Sequence, residues 1–382
     1  MNIRELCPSF LFPFLQKLMS LKNIIVYDYY KITTKIDNKS VFLFSVSRKD
    51  LSGNLLFIYN QIKDSEFNVK ICLENDLTTT NQILKIMACS KFTVIDDYTK
   101  MVYPLKIRKD TKLIQVWHST GAFKRMGFSR IGRKGSTVRT SLTHKNYTDV
   151  IVSGSGVIGN FSEAFGMGSE RIHPIGVPRT DIFFDNVYKN KTIKSLEKKY
   201  PKIKNKKLIL FAPTFRGETR NDAYYPSEYL DVRKILDEIA DDYILGIKLH
   251  PFIKNKFEVD IDLKSRIIDF SSEREINDLL FITNILITDY SSVIFEYAFL
   301  KKPIIFFAPD LKQYISDRDF FYDYEEYLYG PVAKNMDELI KCINKCEINY
   351  NKLDSFYNKF LNGCDGYASK RFVDLILRDN YK

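Results

Sequence analysis

Cysteine and histidine are scarce. Six cysteines (Cys7, Cys72, Cys89, Cys342, Cys346 and Cys364) occur in 382 residues without a Cys-x-x-Cys pair, and His118, His144, His173 and His250 all lie well away from them in sequence. That spacing offers no zinc cage. In a Lys-rich chain without a cleavable signal it also argues against a disulfide framework, so the thiols read as reduced cysteines of the cytoplasm. Long apolar runs are missing as well. The nearest, Pro8 to Met19, is interrupted by Pro13 and Lys17 and falls far short of the roughly 20 residues a spanning helix needs. It has the character of a segment that lies on a bilayer or packs on its own domain. No internal repeat of fixed period is present. With 16 Gly, 12 Pro, 45% hydrophobic and 27% charged residues, collagen-like and disordered classes drop out.

Basic charge is in excess. The chain carries 58 Lys and Arg against 47 Asp and Glu, a formal +11, which points to an anionic partner: phosphate groups, nucleic acid or a membrane surface. Lys100 to Lys145 holds twelve Lys or Arg and one acid, Asp110, while Lys189 to Lys207 holds nine lysines and one Glu. The second run reads as a solvated linker. Expected domains are therefore residues 1–190, a linker at 191–207 and residues 208–382. Short β-branched and aromatic runs alternate with helical patterns on both sides of it: Ser40 to Ser45, Phe92 to Asp96, Leu113 to Trp117 and Val150 to Ser153, then Lys207 to Ala212, Ile244 to Lys248, Ile285 to Thr288 and Pro303 to Phe307. Continuous apolar strands of this kind belong to parallel sheets covered on both faces. The expected architecture is α/β, with two Rossmann-like, doubly wound domains facing across a cleft.

The strongest local unit runs from Ile285 to Pro309. A strand, the turn Asp289-Tyr290, a helix opening at Ser291-Ser292 and a second strand make a complete βαβ unit. A helix start at the carboxyl end of a parallel strand offers N–H groups to a phosphate; the plainer reading makes Ser291 only an N-cap. His118 follows the strand Leu113 to Trp117 and precedes Ser119, Gly121, Lys124 and Arg125. A histidine at a strand mouth suits proton transfer, although a structural histidine fits the same place. His250, before Pro251, ends another strand in the same way, whereas His144 and His173 lack such placement. Arg216 and Arg179 have the chemistry of phosphate clamps or of loop braces. Asp317 and Asp319 have Asp-x-Asp spacing without further ligand signals, so no metal is expected.

These segments together resemble the CDP-glycerol glycerophosphotransferase family of teichoic acid and capsule synthesis. The resemblance rests on WHSTGAFKRMG (Trp117 to Gly127), IGVPRTD (Ile175 to Asp181), FAPTFR (Phe211 to Arg216), KLHP (Lys248 to Pro251), ITDYSSVIFEYAFLKKPIIFF (Ile287 to Phe307), DRDFFYDYEEYLYGP (Asp317 to Pro331) and CDGYASKR (Cys364 to Arg371). It implies a GT-B-like fold and transfer of glycerol phosphate from CDP-glycerol to a hydroxyl of a polyprenyl-diphosphate-linked saccharide or growing polymer, with release of CMP. It makes His118 and His250 the catalytic candidates. Thr214, Arg216, Thr288, Asp289, Ser291, Ser292 and Arg318 fall to the donor, and Ser119, Gly121, Lys124 and Arg125 to the acceptor. It implies no cofactor and no nucleic acid, but a peripheral position on the cytoplasmic face of an anionic membrane. The Gly121-Ala122-Phe123-Lys124 sequence and the absence of a long N-terminal region lean toward primase-like members. Alternatives are CDP-ribitol as donor, a GT-B glycosyltransferase using a nucleotide sugar, and a non-catalytic basic module.

Overall fold

The computed structural model describes residues 12–133, 138, 141–217, 221–253 and 260–378. Residues 8–11 of the apolar start, and Lys134 and Arg139 of the basic window, lie outside that set. The described chain forms two six-stranded sheets whose strand pairings are all parallel. The first runs β2-β1-β3-β4-β5-β6, from β1 (Asp37–Phe44), β2 (Asn68–Cys72), β3 (Ser90–Ile95), β4 (Lys112–Gln115), β5 (Asp149–Ile151) and β6 (Ile172–His173). The second runs β12-β11-β10-β7-β8-β9, from β7 (Lys207–Phe211), β8 (Tyr243–Ile247), β9 (Ile267–Asp269), β10 (Thr283–Thr288), β11 (Ile304–Phe307) and β12 (Val332–Ala333).

Central strands are apolar on both faces because helices cover both. Val41 to Phe44 in β1 and Leu208 to Phe211 in β7 are buried without alternation, and each such side chain contributes about 1.5–3 kcal/mol. The first core joins Val41, Leu43, Phe92, Val94 and Ile114 to Phe372, Val373 and Ile376 from the chain's end; the second joins Ile209, Phe211, Leu245, Ile285, Ile287 and Ile305.

Two compact units result. One comprises the described residues of Met1–Ser119, Met126–Asp181 and Gly363–Lys382; the other, Thr120–Arg125 and Ile182–Asn362. This division differs from a boundary at a linker. The Lys-rich stretch begins as a regular helix, Asn186–Lys199, whose start is capped by Asp185 and whose Leu196 is buried. Its alternation of Lys with polar residues hides the periodicity. The end of the chain returns to the first unit because Asp181 accepts the N–H groups of Ala368 (3.0 Å) and Ser369 (2.9 Å), while Arg371 donates to the Ile175 carbonyl (2.9 Å). Gly176, at φ +90°, permits that docking, since a Cβ there would meet the Gly363 carbonyl at 2.1 Å.

Both sheets have a topological switch point, where successive connections depart in opposite directions. In the first it lies between β1 and β3, in the second between β7 and β10. Ligands of open α/β sheets bind outside the carboxyl ends of strands at such points.

Candidate functional site

In the first unit the loops beyond the switch point carry Arg48 after β1 and Asp96 and Asp97 after β3, with His118 following the neighbouring β4. Arg48 pairs with buried Asp96 and donates to Ser52 Oγ (3.1 Å). His118 is 44% exposed on its side chain, and its Nδ1 faces Asp97 Oδ1 at 3.6 Å. Desolvation lowers its pKa, against an upward pull from Asp97 and Asp96; with that much of the ring open to water the net lowering is modest. The backbone that carries it is closely held. Trp117 turns at φ +51°, and Asn54 Nδ2 donates to the carbonyls of Val116 (2.9 Å) and Trp117 (2.8 Å). Arg179 donates its N–H to Asn54 Oδ1 (3.0 Å) and its Nη1 to the His118 carbonyl (3.1 Å). Arg179 is thus a brace for the histidine loop. Ser119 follows, half-buried.

In the second unit Ala212 to Arg216 leave β7 and Asp289 to Ser292 leave β10, side by side at the switch point. Thr288 Oγ1 donates to the Ala212 carbonyl (2.7 Å) and Asp289 Oδ1 accepts the Thr214 N–H (2.7 Å), so these two residues lock the floor of the site. The Thr214 hydroxyl is buried and has no hydrogen-bond partner among the described residues. Ser291 and Ser292 are half-buried. Ser291 Oγ accepts the Val293 N–H (3.3 Å) ahead of a six-residue helix, Val293–Ala298, which is short for a strong dipole. His250 lies three residues beyond β8, next to β7, with its ring against Phe215 (4.9 Å) and Phe252 (4.4 Å). Its Nδ1 accepts the Phe252 N–H (3.2 Å). This places the ring proton on Nε2, which becomes a donor.

Arg216 is used differently from the expected phosphate clamp. Its Nε and Nη2 form a bidentate pair with Asp310 (2.6 and 2.9 Å), and its Nη1 reaches Asp289 (2.9 Å) and the Thr214 carbonyl (2.6 Å). The rings of Tyr225, Tyr290 and Tyr314 surround it. Two carboxylates consume this buried guanidinium, because a charge out of water needs partners of its own. Arg318 donates Nη2 to the Gly217 carbonyl (2.8 Å), bracing the same loop.

Of the residues expected to hold the acceptor, Gly121, Lys124 and Arg125 pack within the second unit. Arg125 N donates to the Asp319 carbonyl and Phe321 N to that of Phe123, so the segment pairs antiparallel with Asp319 to Phe321. Arg125 Nε also meets Asp319 (3.1 Å) and the Phe320 carbonyl (3.1 Å), and Lys124 Nζ donates to Tyr314 Oη (3.4 Å). Gly121 sits at φ +68°, where a Cβ would lie 2.3 Å from the Phe295 ring. Buried Thr120 donates to Glu296 (2.8 Å). These contacts fasten the segment.

Asp319 is thereby engaged with Arg125, and Asp317 accepts from Gln313 (3.0 Å). No group of three His, Cys, Asp or Glu is placed to hold a metal among the described residues. His144 is buried among Trp117, Tyr98 and Phe165, and burial pushes its pKa down to about 3, so it stays neutral beneath Trp117. His173 pairs with Asp149 (2.8 Å).

Sequence reasoning passed over Arg48, Asn54, Asp96, Asp97 and Gln115. Only the Asp96-Asp97 pair ending an apolar run carried a signal, the same one that drew attention to His118.

Residues 26–378 match the family described as CDP-Glycerol:Poly(glycerophosphate) glycerophosphotransferase. A teichoic acid poly(ribitol-phosphate) polymerase of Bacillus spizizenii strain W23 is 43% identical over 95% of this chain, which spans 60% of that relative's length. A teichoic acid poly(glycerol phosphate) polymerase of the same strain is 32% identical, covering 76% of this chain and 75% of the relative. The solved structure of the wall teichoic acid polymerase TagF superposes with a TM-score of 0.74 at 23% identity, covering 97% of this chain and 98% of that one. The fold is therefore of the GT-B type.

Proposed function

Because the chain belongs to the CDP-glycerol:poly(glycerophosphate) glycerophosphotransferase family, we propose that it transfers an alditol phosphate from a CDP-alditol, CDP-ribitol first, to a hydroxyl of a teichoic acid-type acceptor and releases CMP. One observation carries the choice of ribitol: two polymerases of a single bacterial strain differ in likeness to this chain, 43% for the ribitol-phosphate enzyme against 32% for the glycerol-phosphate enzyme. Divergence between organisms does not account for that gap. CDP-glycerol remains the second reading, since the family's description names it.

The acceptor oxygen attacks the β-phosphorus, its proton passes to His118, and the bond to CMP breaks with the electron pair leaving on the CMP phosphate. Such a transfer depends on in-line positioning and on stabilising the non-bridging oxygens. On this reading the pyrophosphate meets the Nε2 side of His250, the hydroxyls of Ser291 and Ser292, and the N–H groups of that turn. The acceptor is a polyprenyl-diphosphate-linked saccharide or a growing polymer, met at an anionic membrane surface. The deciding assay measures CMP release from CDP-ribitol, CDP-glycerol and several nucleotide sugars, with and without an acceptor analogue. We expect kcat/KM to be highest with CDP-ribitol. Preference for CDP-glycerol would reverse the donor assignment, and turnover confined to a nucleotide sugar would overturn the reading.

A further inference from the structure

Gln115, the last residue of β4, is fully buried and joins two loops. Its Nε2 donates to the Asp97 carbonyl (3.2 Å), and its Oε1 accepts the Trp117 N–H (2.8 Å). Asp97 is further fixed by the Tyr98 N–H on its Oδ1 (2.7 Å) and by Thr99 Oγ1 on its carbonyl (3.1 Å). On the other side Asn54 and Arg179 hold the carbonyls of Trp117 and His118. The indole of Trp117 stacks on the imidazole at 4.4 Å and 30°. One ring face and both ends of the His118 backbone are therefore set before any ligand arrives. Asp96 takes Arg48, which leaves the carboxylate of Asp97 facing Nδ1 of His118.

We propose that Asp97 is the positioning residue of His118, keeping the proton on Nδ1 so that Nε2 takes the proton of the acceptor hydroxyl, with Gln115 setting the spacing of the pair. The inference rests on His118 being the base. At 3.6 Å the two groups attract without a formed hydrogen bond, and bonds of this kind commonly tighten in the substrate complex. When Nε2 gains the acceptor's proton, the ring becomes a cation and Asp97 its counter-charge. The proton leaves with solvent after CMP departs, returning the ring to its starting tautomer. An imidazole held the other way round, with the proton on Nε2, has no lone pair for the acceptor.

The test uses the full chain labelled with ¹⁵N-histidine, whose four imidazoles are read by long-range ¹H–¹⁵N correlation at a pH where imidazole is neutral; the His118 signal is the one lost in His118→Gln. The expected wild-type signature is the Nδ1–H tautomer. In Asp97→Asn the signal should move to the Nε2–H form while kcat falls roughly 10²-fold or more, with KM for the CDP-alditol within about twofold and partial rescue in Asp97→Glu. A wild-type ring protonated on Nε2 would overturn the proposal even if the Asp97 variants fail to fold. So would an Asp97→Asn enzyme with wild-type kcat. Failure of the base reading itself looks different: His118→Gln would keep its turnover.

Discussion

Residue type suggests chemistry, but the hydrogen-bond partner decides which half of the chemistry a side chain performs. The two strand-end histidines illustrate this. Phe252 occupies Nδ1 of His250 with an N–H donor, which puts that ring's proton on Nε2. Asp97 faces Nδ1 of His118 with a carboxylate, the opposite polarity. On the proposed reading the pair divides into a hydrogen-bond donor for phosphate and a proton acceptor for the incoming hydroxyl. The consequences separate in binding and turnover. His118→Ala should lose about 10²–10⁴-fold in kcat with CDP-alditol affinity, measured by calorimetry without acceptor, nearly intact. His250→Ala removes a contact to a charged group, worth about 1.5–3 kcal/mol, and should weaken donor binding roughly 10- to 100-fold along with turnover. Loss of donor binding in His118→Ala alone would reverse the assignments. Thermal melts of both variants must match wild type first, since His250 also packs between Phe215 and Phe252.

At the scale of elements, the segment Thr120 to Arg125 behaves as a fastened strap. Gly121→Ala adds a methyl group 2.3 Å from the Phe295 ring at a positive φ; overpacking and left-handed strain together cost on the order of 2–4 kcal/mol. The thermal midpoint should drop by several degrees. Gly132→Ala is the control, because that glycine also has a positive φ but nothing within 4 Å of its Cβ position. Equal midpoint losses in the two variants would mean that the strap is not tightly packed. Eight strands were legible as apolar runs, and all eight are present. The four that were not, β2, β6, β9 and β12, are the sheet edges. β2 buries only Cys72, and the others are two or three residues long, too short for periodicity to register. The placement of the candidate residues divides for a related reason. His118, Thr214, Ser291 and His250 lie beyond strand ends, where the apolar runs put them. Arg216 and Arg125 were expected to meet ligand because a sequence shows a cation but not the carboxylates that pair with it, Asp310, Asp289 and Asp319, and Lys124 because it does not show Tyr314; all these partners lie tens to hundreds of positions away.

For the whole molecule, the proposed acceptor at a membrane surface sets a demand on a chain with a formal +11 charge. No described helix is long and apolar enough to cross a membrane. The helix Phe12–Thr33 nevertheless leaves Leu18, Leu21, Ile25, Tyr29 and Ile32 exposed at steps of three and four residues, a single face. Its opposite side is tied down by buried Tyr27, whose hydroxyl accepts the Arg108 N–H (3.3 Å). The basic window is less of a surface than its composition implies. Arg108 donates to the Thr34 and Ala88 carbonyls and Lys112 to that of Ile376, while Lys100, Lys106, Lys109, Arg133 and Lys145 are exposed. An exposed apolar stripe and exposed lysines suit an anionic bilayer better than a neutral one, each cation near the surface adding about 1 kcal/mol. In flotation with phosphatidylglycerol-containing vesicles, binding should fall steeply as salt shortens the screening length below about 8 Å. Replacing Lys100, Lys106 and Lys109 by Gln should weaken it by up to about 10²-fold, at roughly 1 kcal/mol each. Leu21→Ser with Ile25→Ser should weaken binding to neutral and anionic vesicles alike, because that contribution is apolar. Binding that ignores both salt and the lysines would leave the helix face as the whole anchor; binding that ignores the helix face would make the attachment purely electrostatic. A chain that stays with the aqueous phase at low salt would refute direct membrane attachment.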